Sequence, residues 1–233
     1  MYRQTAFAFL LALVTCVAAC GGGSSTPTTP TTPTTPAPQP NRNPVINSIS
    51  VNPTFGIAAL TTYTFASSAS DPDNDTLTYG WDLAGNARSG ASQTTTFING
   101  GDFSGTLNVT DGKGGSISQS VNFTSASTTG SWTGNIPFSI GPRAMSLTMT
   151  QSTTSGATTA NWNIPAVALG GILDPASPNG IDATGRVVLR FKITQGTGFL
   201  DFTFTGQMQT SGRSIVGSVS GSGFGGQPVT FTK

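Results

Sequence analysis

The chain has 233 residues, enough for one or two domains, and carries ten Lys or Arg against nine Asp, with neither Glu nor His. Only 8% of the residues are charged. The lack of His excludes Ser-His-Asp and Cys-His catalytic groups and His-ligated metals, and without a block of Lys and Arg we expect no nucleic-acid partner. Thr, Ser and Gly outnumber helix formers, which predicts an all-β protein.

The first 19 residues are predicted to be a signal peptide. Arg3 precedes an apolar run at 6–17, too short for a stable transmembrane helix. The run ends at VAAC, residues 17–20, which resembles the lipobox of bacterial lipoprotein precursors, although Val17 stands where Leu is commoner. The resemblance implies that Cys20 is the lipid-bearing first residue of the mature chain, and Gly21 after it favours an outer-membrane location in the cell envelope. The alternative is an ordinary secretory signal that happens to end beside a cysteine.

Residues 20–43 are predicted to form a disordered stalk. A Gly/Ser segment at 21–25 is followed by repeated Thr-Thr-Pro up to Pro40. Proline fixes the backbone angle φ and lacks an amide donor, so this stretch favours polyproline II and builds no core. Such a stalk would hold the folded part away from the lipid surface.

Residues 44–126 are predicted to form a β-sandwich of short strands at 45–51, 61–66, 77–81, 94–98, 104–110 and 116–123, separated by turn clusters. The segments SDPDNDTLTYGWD at 70–82 and GTLNVTDGKGG at 105–115 resemble PKD-type immunoglobulin-like repeats of bacterial surface proteins. The resemblance implies a seven-strand sandwich with Trp81 in its core. The sequence LAGN at 83–86 departs from the F-G-D-G that usually follows.

Four Asp residues of these turns, namely Asp71, Asp73, Asp75 and Asp111, are candidates for a calcium site. Some members of the family they resemble bind Ca²⁺ through turn carboxylates, and calcium takes six to eight oxygen ligands. The alternative is that these side chains accept hydrogen bonds from backbone amides and thereby shape their own turns.

Residues 130–233 are predicted to form a small antiparallel meander barrel. Apolar residues alternate with polar ones at 145–149, 187–193 and 229–231, and glycines separate the strands. Closure into a barrel would remove exposed strand edges. The sequences GSWTG at 130–134, LTMTQ at 147–151 and GRSIVG at 212–217 resemble lipocalin-like barrels of bacterial lipoproteins.

Three functional hypotheses follow. The first is a membrane-anchored lipoprotein with non-catalytic β-domains that contact an envelope or extracellular protein or a polysaccharide. The second is a carrier of a small apolar ligand inside the barrel, for which the alternative is an interior filled by side chains. The third is a glycoside hydrolase that uses Asp174, Asp182 or Asp201 as paired carboxylates, and we expect no enzymatic activity.

Overall fold

The structure is a computed structural model that describes residues 37–195 and 201–233. Pro40–Lys233 forms one compact unit, and it contains both an immunoglobulin-like sandwich and an eight-stranded closed barrel, which confirms the predicted fold class. The sandwich strands are β1 Val45–Asn52, β2 Phe55–Ile57, β3 Thr62–Ser70, β4 Thr78–Leu83, β5 Asn86–Ser89, β6 Ser92–Thr96, β7 Gly101–Thr110 and β8 Ser116–Ala126.

The sandwich consists of two sheets, one with the strand order β1-β3-β6 and the other with the order β2-β8-β7-β4-β5. β2 pairs with β8 in parallel, and the other neighbours are antiparallel. The structure has eight strands rather than the seven that the family resemblance implied. The strand predicted at 45–51 is β1, which ends at Asn52, before Pro53. Pro53 has no amide hydrogen for the ladder, and the chain continues as β2 in the opposite sheet.

Alternating apolar side chains of both sheets meet between them. Trp81 is 2% exposed, as the family resemblance implied, and its ring lies 5.7 Å from that of Phe65. The core residues of the sandwich are Val51, Tyr63, Phe65, Trp81, Leu83, Phe97, Leu107, Val109 and Phe123.

The second half of the chain forms the barrel. Its strands are β9 Gly130–Phe138, β10 Gly141–Gln151, β11 Thr158–Ile164, β12 Leu169–Leu173, β13 Gly180–Ile181, β14 Arg186–Gln195, β15 Phe202–Met208, β16 Ser214–Gly221 and β17 Phe224–Thr232, with a 3-10 turn at Pro165–Val167. All pairings are antiparallel, as predicted. The sequence patterns did not single out β11 or β12.

The barrel closes where β17 pairs with β9, with Phe231 opposite Gly134. A Cβ atom at Gly134 would lie 2.6 Å from the Phe231 ring, so only glycine fits at this contact. The eight wall strands have the order β9-β10-β11-β12-β14-β15-β16-β17, and β13 is an extra short strand beside β14.

One end of the barrel is covered by the sandwich. Ile57, at the end of β2, is 1% exposed and belongs to the barrel's core cluster, and Phe55 and Leu60 pack against the same cluster. The sandwich and the barrel therefore share apolar packing, and we expect them to unfold together.

Candidate functional site

The predicted lipid anchor lies outside the described residues, as do the signal peptide at 1–19, Cys20 and the stalk up to residue 36. Within the part of the chain that the structure describes, no helix is long and apolar enough to cross a membrane. Residues 37–43 are exposed and precede the first strand.

The turn between β3 and β4 is shaped by the carboxylate of Asp71. Its Oδ1 accepts hydrogen bonds from the amides of Asp73 and Asp75 at 2.7 and 3.2 Å. This local bonding is the alternative that the sequence left open beside calcium binding.

Asp73 is bound by a cationic side chain from the N-terminal side of the sandwich. Arg42 Nη2 lies 2.7 Å from Asp73 Oδ1, and the Arg42 amide donates to Asp73 Oδ2 at 2.8 Å. These hydrogen bonds from Arg42 hold the pKa of the Asp73 carboxyl below its usual value. A guanidinium group therefore already lies against one of the predicted calcium ligands.

Asp111 lies in the turn between β7 and β8 and is buried. Its Oδ2 accepts from Asn41 Nδ2 at 2.7 Å, and its Oδ1 accepts from the amides of Lys113 and Gly115 at 2.7 and 2.9 Å. These bonds, led by that from Asn41, lower the pKa of Asp111. Asn41 and Arg42, which the sequence placed in the stalk, are thus fastened to two turns of the sandwich.

Among the described residues, no three acidic side chains converge in an arrangement that could hold a metal ion. The calcium assignment to Asp71, Asp73, Asp75 and Asp111 therefore stays a prediction.

The barrel interior is filled by side chains. Trp132, which donates from Nε1 to the carbonyl of Thr128 at 2.6 Å, is fully buried. The other inward-facing residues form one contiguous cluster with it, including Ile136, Met145, Leu147, Phe191, Phe202, Phe204, Ile215 and Phe231, each no more than 3% exposed. This packing, together with the cover of Ile57 at one end, favours the filled-core alternative over an apolar-ligand carrier.

The outer wall of the barrel carries a groove of about 920 Å³. Its floor consists of outward-facing residues of β10, β11, β12 and β14, and its rim is the connection between β12 and β14. Asn179 holds this rim in place, because its Oδ1 accepts from the amide of Arg190 at 2.6 Å and its Nδ2 donates to the carbonyl of Asp174 at 2.8 Å.

The lining of the groove combines polar and apolar groups. Hydroxyl and amide side chains come from Thr148, Thr150, Thr159 and Asn161, and apolar surface comes from Ile172, Val188 and Pro178, among others. Two cationic residues, Arg186 and Arg190, also line the groove. Sequence reasoning missed this site, because its residues are the polar positions of alternating strands and give no motif.

A second cavity, of about 310 Å³, brings together Asp174 and Asp201, two of the candidate hydrolase residues. Asp174 accepts from Ser177 Oγ at 2.8 Å and from the Ala176 amide at 3.1 Å. These bonds, with Lys192 nearby, lower the pKa of Asp174. A glycosidase acid needs a raised pKa, so Asp174 is unsuited to that role. Asp182 lies in the groove instead.

Comparison with known proteins identifies the family of the sandwich. The family model described as PKD domain matches residues 41–125, so the sandwich is a PKD domain. A search of curated proteins finds no match. One solved structure, described as "Structural basis for the promiscuous specificity of the carbohydrate-binding modules from the beta-sandwich super family", covers 83% of this chain and 86% of its own at 14% identity and a TM-score of 0.36. That TM-score is too low to assign a fold or a ligand to this chain.

Proposed function

We propose that this chain is a lipid-anchored protein of the cell envelope whose β-domains are non-catalytic and whose barrel binds a polysaccharide. The observation that carries the binding role is the groove on the barrel wall. Its volume of about 920 Å³ falls within the range of roughly 300–1,000 Å³ typical of ligand sites.

The chemistry of the groove suits a hydroxyl-rich ligand. The hydroxyls of Thr148 and Thr150 and the amide of Asn161 can both donate and accept hydrogen bonds. Ile172, which is 37% exposed, offers apolar surface to the C–H faces of sugar rings. Hydrogen bonds within their own turns lower the pKa of Asp182 at the groove and of Asp174 in the neighbouring cavity, which is the opposite of what the acid of a glycosidase requires.

The path of the chain suits display of this groove away from an anchor. Asn41 and Arg42 attach at the turns beside Asp73 and Asp111, and β8 leads from the second of these turns to the barrel. β8 has 11 residues, so at roughly 3.3 Å per residue the entry point and the barrel lie about 35 Å apart. A lipid on Cys20 would therefore be joined to the end of the sandwich opposite the barrel.

Binding is tested with the full chain, purified in detergent, by affinity electrophoresis and calorimetry against neutral and acidic polysaccharides. We expect retardation by at least one of them. The variant Asn161→Ala should weaken that binding, whereas Asn135→Ala, on the outer face of β9 and outside the groove, should not. Failure of every polysaccharide to bind would overturn the proposed ligand class.

Anchoring is tested separately with Cys20→Ser. We expect the wild type to incorporate labelled palmitate and to fractionate with membranes, whereas the variant should do neither. A Cys16→Ser variant, altered inside the predicted signal peptide, is the matched control and should keep its lipid. Unchanged membrane retention of Cys20→Ser would refute the anchor.

A further inference from the structure

The outer face of β14 carries most of the positive charge of the barrel wall. Arg186, Arg190 and Lys192 occupy three of the four outward positions between residues 186 and 192, and Val188 occupies the fourth. Val187 and Phe191 face the core and are buried. Arg186 and Arg190 are four residues apart, about 13 Å along a strand, and Lys192 follows about 7 Å further on. The three cations thus form a row on one side of the barrel, hereafter the β14 row.

The β14 row forms no ion pair in the described part of the chain. The salt bridges found there, Arg42–Asp73 and Arg213–Asp102, lie elsewhere. The guanidinium of Arg190 donates one hydrogen bond, to the carbonyl of Pro178. This bond uses one of the five N–H groups of the guanidinium. Within the described residues, the side chains of Arg186 and Lys192 donate no hydrogen bond, so the row keeps most of its donors for a ligand.

The carboxylates beside the β14 row are engaged in their own turns. Asp182 Oδ1 accepts from Thr184 Oγ1 at 2.6 Å and from the Arg186 amide at 3.1 Å, and Asp174 is bound by Ser177. Asp201, which is exposed, is the third carboxylate near the row. The three carboxylates carry as many negative charges as the β14 row carries positive ones, so this face has no formal net charge. A ligand would therefore be held by direct pairing with free donors rather than by a long-range field.

The β14 row also joins the two cavities. Arg190 lines both the groove of about 920 Å³ and the cavity of about 310 Å³, and Lys192 lines the latter. A ligand that pairs with the whole row must pass from one cavity to the other. This geometry favours a chain molecule over a single sugar.

We propose that the ligand of the groove is an acidic polysaccharide whose carboxylate groups pair with Arg186, Arg190 and Lys192. This inference rests on the proposed polysaccharide binding and specifies its chemical class. Arginine is suited to the role, because its planar fork pairs with a carboxylate through two parallel hydrogen bonds. A nucleic acid is a poorer fit, since dense phosphates require an excess of positive charge that this face lacks.

The test compares polygalacturonate with the same polymer after methyl esterification, which removes the charges and keeps the sugar backbone. Calorimetry on the full chain should give binding of the acidic form at least about tenfold tighter, because charge-assisted pairs are the stronger hydrogen bonds. Arg190→Gln should remove most of this preference, and Arg190→Lys, which keeps the charge without the fork, should restore part of it.

Lys192→Gln provides a second variant, because Lys192 is exposed and makes no side-chain hydrogen bond in the described residues, so its loss should leave folding intact. The matched control is Arg143→Gln, which removes a half-buried cation from β10 outside both cavities. The control should bind like the wild type. Binding is compared only among variants whose melting temperature equals that of the wild type.

Each outcome decides between the two proposals. Equal binding of the acidic and esterified polymers would overturn the acidic class while leaving polysaccharide binding in place. If neither polymer binds, and no other neutral or acidic polysaccharide binds either, both proposals are wrong. Binding of double-stranded DNA as tight as that of polygalacturonate would show a general polyanion surface and would also overturn the acidic-polysaccharide assignment.

Discussion

Gln151 joins the barrel to the sandwich through a buried side-chain amide. It ends β10 and is 6% exposed. Its Oε1 accepts from Ser127 Oγ and from the Thr128 amide, both at 3.0 Å, and its Nε2 donates to the carbonyl of Ala58 at 2.8 Å. The replacement Gln151→Met keeps the length of the side chain and removes these three hydrogen bonds together with a longer one from Thr128 Oγ1 at 3.4 Å.

The expected cost follows from the groups left without partners. The Thr128 amide and the Ala58 carbonyl are buried, and each unpaired buried group costs roughly 1–3 kcal/mol. We therefore expect Gln151→Met to lower the free energy of unfolding by about 2–6 kcal/mol, a large part of the roughly 5–15 kcal/mol that stabilises a typical domain.

The substitution Gln151→Glu should make the stability depend on pH in a direction that the structure predicts. A carboxylate at this position keeps the acceptor but faces the Ala58 carbonyl, so we expect its pKa to be raised above the usual value near 4.3. Protonation restores a donor. The stability of this variant should therefore fall as the pH rises from about 4 through the raised native pKa, and acidification should recover it.

Urea unfolding, followed by tryptophan fluorescence and by calorimetry, measures these effects. The wild type should unfold in a single transition, because Ile57 of the sandwich lies in the barrel core. Gln119→Met, at an exposed position of β8, is the matched control and should change the free energy by no more than roughly 0.5 kcal/mol. A Gln151→Met variant as stable as this control, or two separate transitions in the wild type, would refute the reasoning.

Three further predictions concern the sandwich and its junction. Ile57→Ala should lower the stability of the whole unit by about 2–5 kcal/mol, as for other large-to-small core changes, and a shift of the sandwich transition alone in calorimetry would contradict the shared core. Because hydrogen bonds from Arg42 and Asn41 lower the native pKa of Asp73 and Asp111, respectively, these carboxylates should contribute stability above pH about 4 that is lost as the pH falls through their native pKa. In urea titrations between pH 6 and 2, the free energy of unfolding should fall less steeply with decreasing pH in Asp111→Asn than in the wild type. The same pH dependence in both proteins would contradict this account. Millimolar calcium should leave the melting temperature unchanged, since turn amides, Arg42 and Asn41 already bond to oxygens of Asp71, Asp73 and Asp111. A rise would instead establish the calcium site, because a ligand that binds only the native state stabilises it.

Much of the fold was predictable because local patterns encode it. Alternating apolar residues identified strands such as β10 and β14, and the DPDND sequence at 71–75 identified a turn whose Asp71 does bond to backbone amides. β11 and β12 escaped prediction: in β12 the pair Gly170 and Gly171 hides the strand signal, since glycine is depleted in strands.

The candidate site was not predictable in the same way. A polar position facing outward on a strand has the same local pattern whether it borders open solvent or a groove. Arg190 joins the groove only because the rim held by Asn179 folds over β14. The acidic residues, which were predictable as turn residues, gave no sign that Arg42 would lie against Asp73.

The sequence by itself determined the alternation, the turns and the all-β class, because these depend on residues a few positions apart. Only the tertiary structure decided which surfaces meet: Asn41 bonds to Asp111 across 70 positions, and Gln151 bonds to Ala58 across 93. Such pairs depend on strand register and on the packing of one domain against another. No local pattern carries that information, since it arises when the whole chain satisfies its buried polar groups at once.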